Sequence, residues 1–378
     1  MARWVLPTQP TGCYLYDSEG KEYLDFAAGI AVNSLGYHYP GYDEALKDQI
    51  DKLMHISNLY YNEPIIEAGA KLVKASKMSK AFFTNSGTEA IEGALKAAKK
   101  YAYVRDGHAD HEIIAMNHSF HGRSIGALSV TGTAHYREPF EPLMGGVKFA
   151  DFNNLESVKA QITDKTCAII TEVVQGEGGI YPAKKEFLEG LRQICDEKDI
   201  MLIFDEIQCG MGRTGHYFAW QAYGVQPDIM TSAKALGCGV PVGAFVLSEK
   251  AAKASLEPGD HGTTYGGNPF VCAAVSKVFD IYENDKIIEH VQEMTPYLEQ
   301  KLDEIVAKHE CAATRRGMGF MQGIVIQGRP VGEVVKAALA KGLLVISAGS
   351  DVLRIVPPLV ITKEHIDKMV AILDECME

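Results

Sequence analysis

The chain has 378 residues, of which 47% are hydrophobic, 23% charged and 9% aromatic. That balance excludes disordered and fibrous chains, and the length suits two to three domains of roughly 150 residues each. Lys plus Arg total 37 against 49 Asp plus Glu, a net charge of −12; nucleic acid and anionic membranes are therefore poor partners, while local arginine pockets for small anions remain open.

The opening residues carry Arg3 but no apolar core of secretory type, so no leader is expected. No apolar run reaches the ~18 residues of a membrane span. Residues 14–25 read as a hairpin turning at Ser18-Glu19-Gly20-Lys21. The spacing predicts a helix over 89–103, with Ala90, Ile91, Ala94, Leu95 and Ala98 on one side and Glu92 with Lys96 as a helical ion pair. Short apolar runs predict strands over 112–116, 167–171, 201–204, 229–231 and 244–247, with a helix over 185–198. Such alternation predicts a doubly wound α/β sheet.

After about residue 270 the pattern changes. Helices are predicted over 271–283, 287–309, 331–341 and 363–377, and strands over 321–326, 344–347 and 352–356. This reads as a smaller α+β domain over 271–378, following a large domain over 46–270. The hairpin is too short to stand alone, so segment 1–45 is expected to join the small domain.

Eight cysteines include no C-x-x-C pair, so neither a zinc site nor a disulfide scaffold is expected. Reduced thiols in a cytoplasmic protein are the simplest reading, with packing roles for Cys209 and Cys238.

Four stretches bear chemistry. Thr84-Asn85-Ser86-Gly87-Thr88-Glu89 precedes the first long helix, where free amides and hydroxyls make a phosphate cup; the same residue types also serve as a plain helix cap. Asp205-Glu206-Ile207-Gln208 follows an apolar run, where a carboxylate could hold a cationic ring nitrogen or cap the next segment. In Thr231-Ser232-Ala233-Lys234-Ala235-Leu236-Gly237 a lysine sits among small and apolar residues; desolvation there would yield a nucleophilic amine, and a surface lysine is the competing reading. Arg123, Arg213 and Arg354 could grip a dicarboxylate or form structural ion pairs.

Taken together these stretches specify one site: a phosphate cup, an aromatic at Phe120, a carboxylate at a strand end, and Lys234 29 residues beyond Asp205. That is what pyridoxal phosphate requires. The cup holds the phosphate, Phe120 stacks on the ring, Asp205 keeps the ring nitrogen protonated, and Lys234 bonds to the aldehyde carbon.

The same residues stand in a longer ordered set. It comprises Tyr23-Leu24-Asp25-Phe26-Ala27-Ala28-Gly29-Ile30-Ala31-Val32-Asn33, Ser57-Asn58-Leu59-Tyr60-Tyr61, Ser119-Phe120-His121-Gly122-Arg123, Gln175-Gly176-Glu177-Gly178-Gly179, Gly262-Thr263-Thr264-Tyr265-Gly266-Gly267-Asn268-Pro269 and Leu353-Arg354. With this set the chain resembles the class III, or ω-amino, aminotransferases over nearly its whole length. The resemblance implies a fold-type I pyridoxal-phosphate transferase, with a large, mainly parallel, doubly wound domain and a smaller α+β domain built from both chain ends.

It also implies roles. Ser86, Gly87 and Thr88 would surround the phosphate, and Thr264 would reach the phosphate of a neighbouring subunit, making an obligate homodimer. Phe120, His121, Glu172 and Gln208 would form the ring pocket. Ser57 would contact substrate, Arg123 the far carboxylate, and Arg354 the α-carboxylate of glutamate. Glu177 would pair with Arg354 and swing away for glutamate, because a buried unpaired arginine is costly; a fixed ion pair is the alternative.

Within the family the likeness is to members acting on N2-acetyl-L-ornithine. The expected reaction moves its δ-amino group to 2-oxoglutarate, giving N-acetylglutamate 5-semialdehyde and glutamate in arginine biosynthesis. Ornithine aminotransferases carry Tyr where this chain has Gly29, so the acyl group gains room. Alternatives are ornithine, succinylornithine, succinyldiaminopimelate or 4-aminobutyrate as donor, or an aminomutase or decarboxylase on the same fold. Thr88 stands where relatives commonly have Ala.

Overall fold

The computed structural model describes residues 10–378; residues 1–9, including the stretch expected to lack a leader, lie outside the described residues. A seven-stranded sheet runs in the order Lys80–Thr84, Gly243–Leu247, Ile229–Ser232, Met201–Asp205, Thr166–Glu172, Glu112–Met116, Val147–Ala150. The last five are mutually parallel. Gly243–Leu247 runs antiparallel to both its neighbours, so the sheet is mainly, not wholly, parallel.

The central strands are apolar along their length because helices cover both faces and leave no solvated side. Every residue of Thr166–Glu172 and Met201–Asp205 is buried. The helix Gly87–Asp106 buries Ala90, Ile91, Ala94, Leu95 and Ala98, as its periodicity predicts. It lies close to the sheet at Gly93, where a Cβ would come 2.2 Å from Phe245 Cε1. Only glycine permits that approach.

The expected Glu92–Lys96 pair does not form. Glu92 Oε1 accepts from Ala127 N (3.1 Å) and from the Ser124 hydroxyl, while Lys96 Nζ donates to Asp260 O at 2.7 Å. Two tertiary demands outweigh an exposed helical pair worth a few tenths of a kcal/mol, about 0.3–0.5.

The hairpin Tyr14–Tyr16 with Glu22–Asp25 is antiparallel and adds Leu343–Leu344 as a parallel third strand. A four-stranded antiparallel sheet contains Ala312–Met318, Met321–Ile326, Val352–Ile355 and Ile346–Ala348 in that order. The single strand expected over 344–347 is therefore two, split between sheets. Helices Pro269–Asn284, Ile287–Lys308, Val331–Ala340 and Lys363–Met377 match their periodicities, while Tyr42–Lys52 and Glu63–Ser76 went unpredicted. No helix among the described residues is long and apolar enough to cross a membrane. All eight cysteines are free thiols.

The parallel strands end together. Glu172 is level with Asp205, and Asp205 with Thr231, so three polar residues stand in a row at the carboxyl edge. Thr84 is level with Gly243, where a Cβ would lie 2.2 Å from Ser86 O; glycine there lets the helix start at Gly87 sit over the strand ends. Ligands of open α/β sheets bind at such an edge.

Candidate active site

A cavity of about 490 Å³ opens at this edge. One end is the N-terminus of Gly87–Asp106, capped by Ser86, whose hydroxyl accepts from Glu89 N at 3.3 Å. The first amides of a helix have no partner within it and attract anions. Ser86, Gly87 and Thr88 all line the cavity. The Thr88 hydroxyl lies 2.8 Å from that of Ser124 and accepts from Arg123 N (3.3 Å) and Ser124 N (3.2 Å), so it tethers the following loop.

Asp205 is buried at the end of its strand. Its Oδ1 accepts from Ile207 N (3.0 Å) and Thr231 Oγ1 (3.2 Å), and its Oδ2 lies 2.7 Å from His121 Nδ1. The His121 ring is wholly buried, its backbone amide donates to Thr131 Oγ1 at 2.9 Å, and its Nε2 has no partner. His121 thus both lines the cavity and braces the Asp205 carboxylate. Beside them Glu172 accepts from Gly176 N (3.2 Å) and Phe120 N (3.3 Å). Burial pushes its carboxyl up to about 7, with the neighbouring Asp205 charge adding to the effect.

Lys234 follows the strand Ile229–Ser232 and is left-handed, φ 49°. Non-glycine residues in that region store strain and cluster at functional sites. Desolvation holds its amine below the ordinary lysine value, and Arg354 acts in the same sense; Glu177, Asp205 and Glu172 oppose them. A lowered amine is the form that attacks a carbonyl carbon.

Gln208 lines the cavity and joins it to an ion pair. Arg354 Nη1 donates to Glu177 Oε1 (2.5 Å) and Gln208 Oε1 (3.1 Å), Nη2 donates to Glu177 Oε2 (3.2 Å), and Gln208 Nε2 donates to Glu177 Oε1 (3.4 Å). Burial would raise the Glu177 carboxyl, but the Arg354 charge outweighs it and holds the group below its usual value.

Phe120 and Arg123 also line the cavity, the Arg123 guanidinium 5.3 Å from the Phe120 ring centre and 4.0 Å from that of Tyr136. Arg123 is exposed at the mouth. Four expected site residues are not among those lining this cavity: Glu177 and Arg354 meet it through Gln208, and Ser57 and Thr264 lie apart. Ser57 is exposed, its hydroxyl accepting from Leu59 N at 3.2 Å, and Thr264 is exposed on the adjoining loop. Arg213, also singled out from the sequence, is buried away from the cavity and donates to Phe320 O and Pro357 O. Its glycine-flanked position gave no sign of this bracing role. The wall formed by Val32 and Gly239–Val242 was likewise not foreseen, because nothing local links residue 32 to residue 239.

The donors are those of a site for a ring bearing an anion at one edge and a cationic nitrogen at another, with a nucleophilic amine between. The sequence family description aminotransferase class-III matches residues 2–377, and the chain belongs to the class III aminotransferases. It is 47% identical to the acetylornithine aminotransferase of Methanocaldococcus jannaschii over 98% of this chain and 93% of that one. It is 43% identical to the succinylornithine transaminase of Yersinia pseudotuberculosis, over 97% and 93%. Among solved structures, the N-acetylornithine aminotransferase of Stenotrophomonas maltophilia superposes with TM-score 0.86 at 35% identity, covering 99% of this chain and 96% of that one.

Proposed function

We propose that the protein is a pyridoxal-phosphate-dependent transaminase moving the δ-amino group of N2-acetyl-L-ornithine to 2-oxoglutarate, acting as a cytoplasmic homodimer. The observation that carries this reading is the cavity itself, with Lys234, Asp205 and a helix N-terminus facing one space inside a class III aminotransferase. The residues fit the cofactor. Ser86, Gly87 and Thr88 would hold its phosphate, Asp205 its protonated ring nitrogen, Phe120 its face and Lys234 its aldehyde.

When bound, pyridoxal phosphate supplies an aldehyde that exchanges its attachment between Lys234 and the substrate amine, and a conjugated ring that takes up the electrons left when a substrate C–H bond breaks. Lys234 Nζ, once free, would take the proton from the substrate δ-carbon and return it to the carbon on the other side of the transferred nitrogen. Asp205 keeps the ring nitrogen protonated, and His121 holds the Asp205 carboxylate in place. In the second half-reaction Arg354 binds the α-carboxylate of glutamate as Glu177 moves off, while Arg123 meets the distal carboxylate.

The 47% and 43% relatives, named for acetylated and succinylated ornithine, support an acylated donor. Gly29 supports it too, having no side chain to occupy the space of an acyl group. A homodimer is supported by the exposed Leu59, Tyr60, Tyr61 and Tyr265, an apolar patch tied together by Asn58 Nδ2 donating to Thr263 O and Gly266 O. Thr264 lies in this patch, where it would reach a neighbouring subunit.

The test is to incubate purified protein with pyridoxal phosphate, 2-oxoglutarate and a panel of ω-amines, and to follow glutamate. Acetylornithine should give the highest kcat/KM. Glutamate formation with none of them would overturn the proposal.

A further inference from the structure

Residues Ala28, Gly29, Ile30 and Ala31 form one turn of left-handed helix, with φ of 47°, 63°, 66° and 62°. Three of the four carry a Cβ, which crowds the following carbonyl in this conformation, and Ile30 is β-branched as well. Ile30 is 46% exposed, so burial returns little for its strain. Such a turn persists only where its surroundings over-determine it.

Its surroundings do so through a buried carboxylate. Asp25 Oδ1 accepts from Ala27 N and Ala28 N, each at 2.9 Å, and Oδ2 accepts from the Tyr37 hydroxyl at 2.7 Å. That hydroxyl in turn accepts from Asn33 Nδ2 at 3.3 Å, linking the far side of the turn to its start. The base is pinned by Asp25 N to Cys13 O (2.8 Å), Phe26 N to Leu344 O (2.9 Å) and Val356 N to Phe26 O (2.9 Å).

The turn leads directly to the cavity. Val32 lines it, and Asn33 Oδ1 would lie 3.4 Å from a Cβ on Gly239. Leu35 N donates to Cys238 Sγ at 3.4 Å, and the Tyr42 hydroxyl donates to Gly237 O at 2.5 Å. Thus the segment leaving the turn both supplies one wall residue and grips the loop whose Gly239–Val242 forms the rest of that wall beside Lys234.

We infer that Asp25 and Tyr37 are positioning residues: they hold a strained left-handed turn that sets Val32 and the Gly239–Val242 loop as the surface against which the aliphatic chain of the amino donor lies. This rests on the site reading proposed above. Glutamate is anchored through its two carboxylates by Arg354 and Arg123, so a displaced wall should weaken the donor's half-reaction more than glutamate's.

The experiment compares wild type with Tyr37→Phe, Asp25→Asn and Ile30→Gly. Tyr37→Phe and Asp25→Asn should keep the cofactor absorption band and raise KM for the ω-amino donor about tenfold, with the glutamate KM little changed. Ile30→Gly should raise the melting temperature of cofactor-free protein by about 2 °C by relieving strain, while donor KM rises. Unchanged donor KM in the soluble variants, or equal rises for donor and glutamate, would overturn the positioning role. A lowered melting temperature for Ile30→Gly would overturn the strain. If wild type forms no absorption band with pyridoxal phosphate, the site reading fails instead, and the melting comparison still judges the turn.

Discussion

Arg354 and Glu177 meet through two hydrogen bonds, Nη1 to Oε1 at 2.5 Å and Nη2 to Oε2 at 3.2 Å, with the arginine 3% exposed. Arg354 lies on the strand Val352–Ile355 of the antiparallel sheet, and Glu177 follows a strand beside the large sheet, so the pair spans two parts of the fold. Gly349 N also donates to Glu177 O at 2.8 Å, fixing the loop's backbone while its side chain keeps rotatable bonds. A bidentate arginine freed of its partner is a ready carboxylate site.

Arg354→Ala should therefore slow the glutamate half-reaction by about a hundredfold or more, the scale of breaking a buried charge pair. The donor half-reaction, which brings no carboxylate beside its amine, should lose far less. Single-turnover absorbance of the two half-reactions measures this, and equal losses would show that Glu177 does not exchange places with substrate.

Lys234→Ala should abolish turnover and the absorption band of covalently attached cofactor, because among the described residues no other lysine lines the cavity. Spectra of protein mixed with pyridoxal phosphate check it. An active alanine variant would remove Lys234 from the chemistry.

Asp205→Ala should lower kcat by about a thousandfold, the scale of losing a preorganised electrostatic contact in a dry site. His121→Phe removes the ring partner of the same carboxylate and should cost about tenfold in kcat with KM little changed. Full activity in Asp205→Ala would contradict the ring-nitrogen role, and an unchanged kcat in His121→Phe would reduce His121 to packing.

Glu206 is buried, and desolvation raises its carboxyl from 4.5 to about 7 despite N–H donors from Ala219 and Trp220, each at 2.8 Å. The folded state thus favours the protonated form. Its contribution to stability is complete below about 4.5 and is lost as pH rises through about 7. Urea midpoints measured across that range should fall less steeply for Glu206→Gln than for wild type, whatever the variant's overall level. Parallel slopes would mean that Glu206 titrates normally.

Much of the framework was readable from periodicity alone. The strand Glu112–Met116 and the helices Lys185–Lys198 and Lys363–Met377 fall at their predicted bounds, because each is long or apolar enough for its own period to dominate. The motifs around Ser86, Asp205 and Lys234 were readable too, as polar residues set just beyond apolar runs. The strand Lys80–Thr84 and the helices Tyr42–Lys52 and Glu63–Ser76 were missed.

By itself, then, the order of residues determined which segments become strands or helices and which chemical groups stand at their ends, since these depend on neighbours a few positions away. Tertiary structure alone decided that Gly243–Leu247 inserts antiparallel, that residues 343–348 divide between two sheets, and that Glu92 leaves Lys96 for Ser124 and Ala127. It alone brought Val32 to Gly239 and Glu177 to Arg354. The reason is that buried polar groups take whichever partner the packed chain brings within reach, and that choice is made across separations no local pattern encodes.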